Sequence, residues 1–459
     1  MKIETFDAIV IGAGQAGPSV AARCGEAGMR VALIERGPLG GTCVNTGCYP
    51  TKTLVASARA AHLARRGAEF GFNAGAVRVD MNRVKARKDE IVGASRASVE
   101  NWVRGMKGVE WITGHARFVA PRTVQVGDRS LVAANVFINV GGRAARPPMP
   151  GMDAVPVLDN VSILELGEVP SHLVIVGASY IGLEYAQVMR RFGAEVTVVE
   201  RSAKFLPRED DDIAAELQSI LEDEGIRFRL GSECIAFERG ARGAIRVRAD
   251  CEGDSAFIEG SHLLLAIGRT PNTDDLGLEA AGIHTDARGH VEVDGHCRSS
   301  APGVWALGDC NGRGAFTHTA WNDHEIVVDQ LFGKASRGID QRIPCYALFT
   351  DPPLGRVGMT EREVRASGRP ALVATMPMSR VGRAKESGET RGLMKALLEE
   401  GTGRILGAAV LGLNGDEVVH GLLDAMTANI PYTTLVRSVP IHPTVSELIP
   451  TLLQQARPL

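Results

Sequence analysis

The sequence predicts an α/β protein: two copies of one strand–glycine turn–helix–strand unit, then a C-terminal part mixing strands with helices. Three observations predict it. First, the apolar run Phe6-Asp7-Ala8-Ile9-Val10-Ile11 enters Gly12-Ala13-Gly14-Gln15-Ala16-Gly17. A helical stretch then runs to Gly28, and a second apolar run, 31–34, ends at Glu35. Second, residues 173–176 enter Gly177-Ala178-Ser179-Tyr180-Ile181-Gly182 in the same way, with a helix to Gly193 and a strand, 196–199, ending at Glu200. Third, strand-like segments 392–398 and 405–411 precede a helical stretch, 416–426, beyond the Pro-rich Asp351-Pro352-Pro353.

In both copies the first glycine precedes the helix-ending glycine by 16 residues and the acid by 23. One glycine-rich turn is weak evidence, but two with the same internal spacing and context point to Rossmann-like dinucleotide-binding units. The first glycine permits the tight turn and the second lets backbone approach a pyrophosphate. The helix then turns its positive end to the phosphates. Glu35 and Glu200 sit where a carboxylate accepts from a ribose diol. Ser179 stands where the middle glycine is usual, and a serine is small enough to be tolerated.

The 459 residues suggest roughly three domains at about 150 residues each. With 44% hydrophobic and 23% charged residues and a net charge of −3, nothing favours nucleic acid or an anionic membrane as partner. No apolar stretch is long enough to span a bilayer, and no secretory pattern opens the chain, so a cytoplasmic location is expected. In a reducing compartment Cys24, Cys234, Cys251, Cys297, Cys310 and Cys345 are expected to be thiols serving as small core residues. No metal-binding set of residues is expected.

Cys43 and Cys48 stand apart. They lie in Gly40-Gly41-Thr42-Cys43-Val44-Asn45-Thr46-Gly47-Cys48-Tyr49-Pro50-Thr51-Lys52. Closing so short a loop stabilises a fold by only ~2 kcal/mol, against ~4.7 kcal/mol for a hundred-residue loop. A structural staple gains little there, whereas a reversible redox pair needs its sulfurs close together. Pro50 suits a first helical turn, which puts Cys48 at a helix N-terminus, where the dipole favours thiolate. Lys52 follows one turn later on the same face.

This stretch resembles the pyridine nucleotide–disulfide oxidoreductases: dihydrolipoamide dehydrogenase, glutathione reductase, mercuric reductase and their relatives. The resemblance extends over essentially the whole chain. Ala266-Ile267-Gly268-Arg269-Thr270-Pro271-Asn272 matches the segment leaving the family's nicotinamide domain. Val304-Trp305-Ala306-Leu307-Gly308-Asp309 matches the second FAD motif, and His442-Pro443-Thr444-Val445-Ser446-Glu447 the motif of the catalytic base. The resemblance implies an FAD domain over 1–150 and 271–343, an NAD(P) domain over 151–270 and a dimer-interface domain over 344–459.

It also implies roles. FAD would be held by Gly12, Gly14, Gly17, Glu35, Gly41, Thr42, Lys52, Gly308, Asp309, Thr317 and His318. The nicotinamide nucleotide would be held by Gly177, Ser179, Tyr180, Ile181, Gly182, Glu200, Arg201, Gly268 and Arg269. Cys48 would be the charge-transfer thiolate beside the flavin and Cys43 the interchange thiol. Lys52 would pair with Glu184. His442, oriented by Glu447, would be the base, contributed by the other subunit of a homodimer. Glu200 favours NADH, although Arg201 beside it suits the 2′-phosphate of NADPH.

The acceptor is the open question. Gln15 and Ala22 replace the serine and arginine with which glutathione reductases hold glutathione. Gln454-Gln455-Ala456-Arg457-Pro458-Leu459 offers no cysteine pair of the mercuric reductase kind. A dihydrolipoamide dehydrogenase-like or mercuric reductase-like enzyme acting on a small disulfide is therefore expected. A flavoprotein redox sensor or accessory subunit, and an NADH:quinone or metal-ion reductase, are the alternatives.

Overall fold

A computed structural model describes residues 3–251, 257–333 and 337–459. The chain divides into two compact units, each assembled from three segments.

The first unit comprises Met1–Thr53, Lys85–Ala145 and Gly268–Arg342. Its sheet is centred on the strand Ile3–Ile11, which pairs in parallel with Val31–Glu35 on one side and Arg129–Ile138 on the other. Val109–Thr113 extends the parallel part, and Val304–Ala306 also pairs with Arg129–Ile138. Two antiparallel strands, Thr123–Val126 and Ala116–Ala120, finish the sheet. Ala8, Ile9 and Val10 are all fully buried, as a parallel strand covered on both faces requires, so the run reads as continuously apolar. The helix Gly17–Glu26 follows the glycine turn, as its spacing predicts.

The second unit comprises Leu54–Val84, Arg146–Ile267 and Ile343–Leu459. It repeats the pattern in a four-stranded parallel sheet: Ile226–Arg229, Glu195–Val199, His172–Val176 and His262–Leu265, in that order. The helix Tyr180–Phe192 leaves the second glycine turn and stops at Gly193. A six-stranded antiparallel sheet carries the C-terminal part, with Leu393–Glu399 and Ile405–Leu411 paired at its centre and the helix Gly415–Thr427 following. The α/β class with two Rossmann-like units and a C-terminal α+β part is what the sequence predicts. Among the described residues, no helix is long and apolar enough to cross a membrane.

One expectation is corrected. Cys234 and Cys251, read above as thiols, are joined in a disulfide with Cα atoms 5.0 Å apart. The reason is hairpin register. Ala236–Arg239 pairs antiparallel with Ile245–Arg248 so that Ala236 faces Arg248. Cys234 and Cys251 lie two and three residues beyond these paired ends, where the two chain segments still run side by side. Cys24 and Cys310 keep the bland role, and burial pushes both thiols up to about 12.

Candidate active site

The first glycine turn closes as its chemistry demands. Gly12 has φ +101°, and a Cβ there would lie 2.3 Å from the Asn139 carbonyl oxygen. A Cβ on Gly17 would come within 2.0 Å of the Gly12 carbonyl oxygen, so the third glycine lets the helix sit against the strand. The second unit repeats both contacts: Gly177 at φ +108° against Ala266 O (2.4 Å), and Gly182 against Gly177 O (2.1 Å). Ser179, by contrast, has φ −92° and ψ 176°, an extended backbone that any residue adopts, so serine there costs no strain.

The two acids also behave alike. Glu35 accepts from the Ala13 N–H at 2.7 Å and the Gly37 N–H at 2.8 Å. Glu200 accepts from Ala178 at 2.7 Å and Ser202 at 2.8 Å. Each carboxylate therefore ties the turn to the strand end while its two oxygens retain lone pairs for a ribose diol. Arg201 is exposed beside Glu200, and Ile181 is exposed in the first turn of its helix.

Neither helix brings its own anion. Ala16 and Ser179 at the two N-caps make no side-chain capping bond, and neither first turn holds an acid. The positive helix ends are thus left for ligand phosphate. Gly41 has φ +58°, and a Cβ on it would lie 2.8 Å from Gly14 Cα, so a second glycine backbone closes over the turn. These features fit the pyrophosphate of FAD in the first unit and of a nicotinamide nucleotide in the second.

Asn139 was missed by the sequence reading and organises the first turn. Its Oδ1 accepts from the Gly17 N–H at 2.9 Å and its Nδ2 donates to Leu307 O at 2.9 Å. This buried amide joins the glycine turn to the strand before Gly308 and Asp309. A polar residue ending the run Val136-Phe137-Ile138 was the available signal. Asp309 receives Arg269 Nε at 3.2 Å, and Arg269 also reaches Thr42 Oγ1 at 3.4 Å and the Gly142 carbonyl. Arg269, following Gly268, thus lies with Thr42 and Asp309 in the first unit.

Cys43 lies in the short helix Gly41–Asn45 and Cys48 opens the helix Cys48–Arg65, which carries Lys52 at its fifth position. The Cys48 sulfur lies 3.4 Å from the Thr317 hydroxyl, at the start of the helix Thr317–Phe332, and the neighbouring His318 stacks on Phe316. Both cysteines are held as thiols. The Cys43 thiol is pushed well above its ordinary range by its hydrogen bond to Cys48, then by burial and by the charge of Cys48.

In the second unit Glu184 is buried and accepts from the Phe349 N–H at 3.0 Å. His442 Nδ1 lies 2.8 Å from Glu447 Oε2. The histidine is 81% exposed while Glu447 is only 11% exposed, so a fixed carboxylate orients a ring whose other nitrogen faces outward. Among the described residues no group of three or more His, Cys, Asp or Glu is arranged to hold a metal ion.

The model of the family "Pyridine nucleotide-disulphide oxidoreductase" matches residues 6–323, and that of its dimerisation domain matches 345–453. The chain belongs to this family. It is a flavin-dependent, pyridine-nucleotide-linked oxidoreductase with a redox disulfide and a dimerisation domain. The probable pyridine nucleotide-disulfide oxidoreductase RclA of Escherichia coli (strain K12) is 37% identical, over 96% of this chain and 97% of the relative. Dihydrolipoyl dehydrogenase 3 of Pseudomonas aeruginosa is 36% identical, over 97% of each. A solved structure, the Cu(II) complex of the HOCl-induced flavoprotein disulfide reductase RclA from Escherichia coli, superposes with a TM-score of 0.90 at 35% identity, covering 98% of this chain and 99% of that one.

Proposed function

We propose that the chain uses NADH, through FAD, to reduce a small disulfide at Cys43 and Cys48. The observation that carries the reading is the dithiol itself, with both cysteines on helices and the Cys43 thiol raised by Cys48. Bound FAD supplies the two-electron relay between nicotinamide and sulfur. Gly12, Gly14, Gly17, Glu35, Gly41, Thr42 and Asp309 would hold it, and Lys52, Thr317 and His318 would serve its ring. Gly177, Ser179, Gly182 and Glu200 hold the nicotinamide nucleotide, and Glu200 repels a 2′-phosphate, which favours NADH over NADPH.

The sulfur chemistry follows from the two thiols. His442 of the partner subunit, oriented by Glu447, takes the proton of Cys43. The Cys43 thiolate attacks the substrate disulfide, forming a mixed disulfide and releasing one thiol. Cys48 then attacks Cys43, releasing the second sulfur as a thiolate that takes its proton from solvent and closing the Cys43–Cys48 disulfide. The proton on His442 goes to the first leaving sulfur. Gln15 and Ala22, where glutathione reductases carry a serine and an arginine, leave glutathione the weaker candidate, and lipoamide is the first substrate to try.

Turnover of NADH with lipoamide, glutathione disulfide and other low-molecular-weight disulfides tests the proposal. One disulfide should be reduced catalytically, and Cys43→Ser should abolish that activity. A panel without any turnover sinks it. A second reading, reduction of a soft metal ion at the same dithiol, is favoured by the Cu(II) complex of the related RclA. Cu(II)-dependent NADH oxidation exceeding that with every disulfide would support it.

A further inference from the structure

The stretch Phe205-Leu206-Pro207-Arg208-Glu209-Asp210 has no part in the chemistry above, yet it delivers two carboxylates to the interior. The side chains of Glu209, Asp210 and Arg356 are 0%, 1% and 1% exposed. Arg356 donates to Glu209 Oε2 from Nε at 3.0 Å and Nη2 at 2.8 Å, and to Asp210 Oδ2 from Nη1 and Nη2 at 3.1 Å. Asp210 Oδ1 accepts from the Glu361 N–H at 2.7 Å. Lys395, itself buried, joins Asp212 and Glu361 at 3.0 and 2.5 Å.

The other oxygen of Glu209 accepts two phenols: Tyr346 at 2.7 Å and Tyr180 at 3.0 Å. The two rings lie 5.4 Å apart. Burial and the Glu209 charge both push the Tyr180 phenol far above its ordinary range, so it stays a donor. Tyr180 is the first residue of the helix Tyr180–Phe192 and follows Ser179 in the second glycine turn. A buried ion pair adds little net stability over a packed apolar core, and its effect here is to fix geometry. Glu209 has one phenol-bearing neighbour in that turn and one in the strand Cys345–Leu348, with Arg356 compensating its charge.

We infer that Glu209, Tyr346 and Arg356 are positioning residues for the pyridine-nucleotide site, acting through Tyr180 to fix the turn on which the nucleotide phosphates dock. The inference rests on the assignment of that turn to a nicotinamide nucleotide.

The test is anaerobic flavin reduction in the holoenzyme, followed against NADH concentration, beside reoxidation of the reduced enzyme by a disulfide. Tyr346→Phe removes one hydroxyl and leaves Glu209 its other partners. It should raise the NADH concentration at half-saturation roughly three- to tenfold, the range of one hydrogen bond, and leave the reoxidation rate unchanged. Tyr180→Phe should do at least as much. Tyr180→Phe/Tyr346→Phe should be no worse than Tyr180→Phe alone, because Tyr346 acts through Tyr180.

Unchanged NADH dependence in Tyr346→Phe overturns the inference. So do additive losses in the double variant, or equal losses in both half-reactions, which would mark a general structural role. If Tyr346→Phe does not fold, Tyr180→Phe and Glu209→Gln are judged by the same split. Failure of the wild-type enzyme to be reduced by NADH would sink the nucleotide assignment and this inference together. Normal reduction with an indifferent Tyr346→Phe sinks this inference alone.

Discussion

Alanine at Gly14 and at Gly17 separates what the glycine turn does for the fold from what it does for the cofactor. At Gly17 the new Cβ would lie 2.0 Å from the Gly12 carbonyl oxygen and 3.2 Å from Asn139 Oδ1. The first is backbone and the second a buried amide held by Gly17 and Leu307, so the helix Gly17–Glu26 must lift from its strand. Alanine gains about 1 kcal/mol of helix propensity over glycine, while overpacking costs about 1–3 kcal/mol and more for backbone overlap. A net loss of about 2 kcal/mol in a unit of this size lowers the melting temperature by about 4–8 °C. At Gly14 the nearest atom to the Cβ would be Asn139 Oδ1 at 3.1 Å, with backbone no nearer than 3.8 Å, and the residue lies outside the left-handed region. The apoprotein with Gly14→Ala should therefore melt within about 2 °C of wild type. Its methyl group nevertheless projects at the turn where the pyrophosphate must approach. Purified Gly14→Ala should carry far less flavin by absorbance and regain less on reconstitution. Gly17→Ala should lose both flavin and melting temperature. Full flavin occupancy in Gly14→Ala, or wild-type melting in Gly17→Ala, would refute the reasoning.

Other outcomes follow from the same geometry. His442→Ala should slow reoxidation by a disulfide about 10²–10⁴-fold, the usual reach of a general base, and leave reduction by NADH nearly intact; stopped-flow measurement of both half-reactions decides it. Because Cys48 holds the Cys43 thiol above its ordinary range, Cys43 thiolate is scarce until alkaline pH in the reduced enzyme. Cys48→Ala removes both the hydrogen bond and the charge of Cys48, so alkylation of Cys43, followed by mass spectrometry against pH, should set in at lower pH. Replacing Cys234 and Cys251 by serine releases a loop spanning 17 positions and should cost about 3 kcal/mol of stability by loop-closure entropy. Chemical denaturation of the holoenzyme with and without the disulfide measures that cost.

The repeat was legible because each glycine in it answers a local steric demand that spacing alone reveals. Gly12 and Gly177 need positive φ, and Gly17 and Gly182 need the absence of a Cβ. The apolar runs of the two parallel sheets are buried on both faces, which is why they read as strands without alternation. The helix starting at Cys48 was readable from Pro50, and His442 with Glu447 from the resemblance of 442–447 to the family's motif. What stayed hidden depends on long-range register. Asn139 is one polar residue at the end of an apolar strand, and its partners Gly17 and Leu307 lie 122 and 168 residues away. Cys234 and Cys251 lie just beyond the ends of a hairpin pairing that neither thiol announces. Glu209 and Arg356 are 147 residues apart, and an acid in a proline-containing loop looks like surface until its partners are known.

The most direct measurement of the central claim is an anaerobic reductive titration of the FAD-loaded enzyme. The account predicts uptake of four electrons per subunit, two by the flavin and two by the cysteine pair, with a long-wavelength thiolate-to-flavin band at the midpoint that disappears in Cys48→Ser. An end point at two electrons without that band would contradict it.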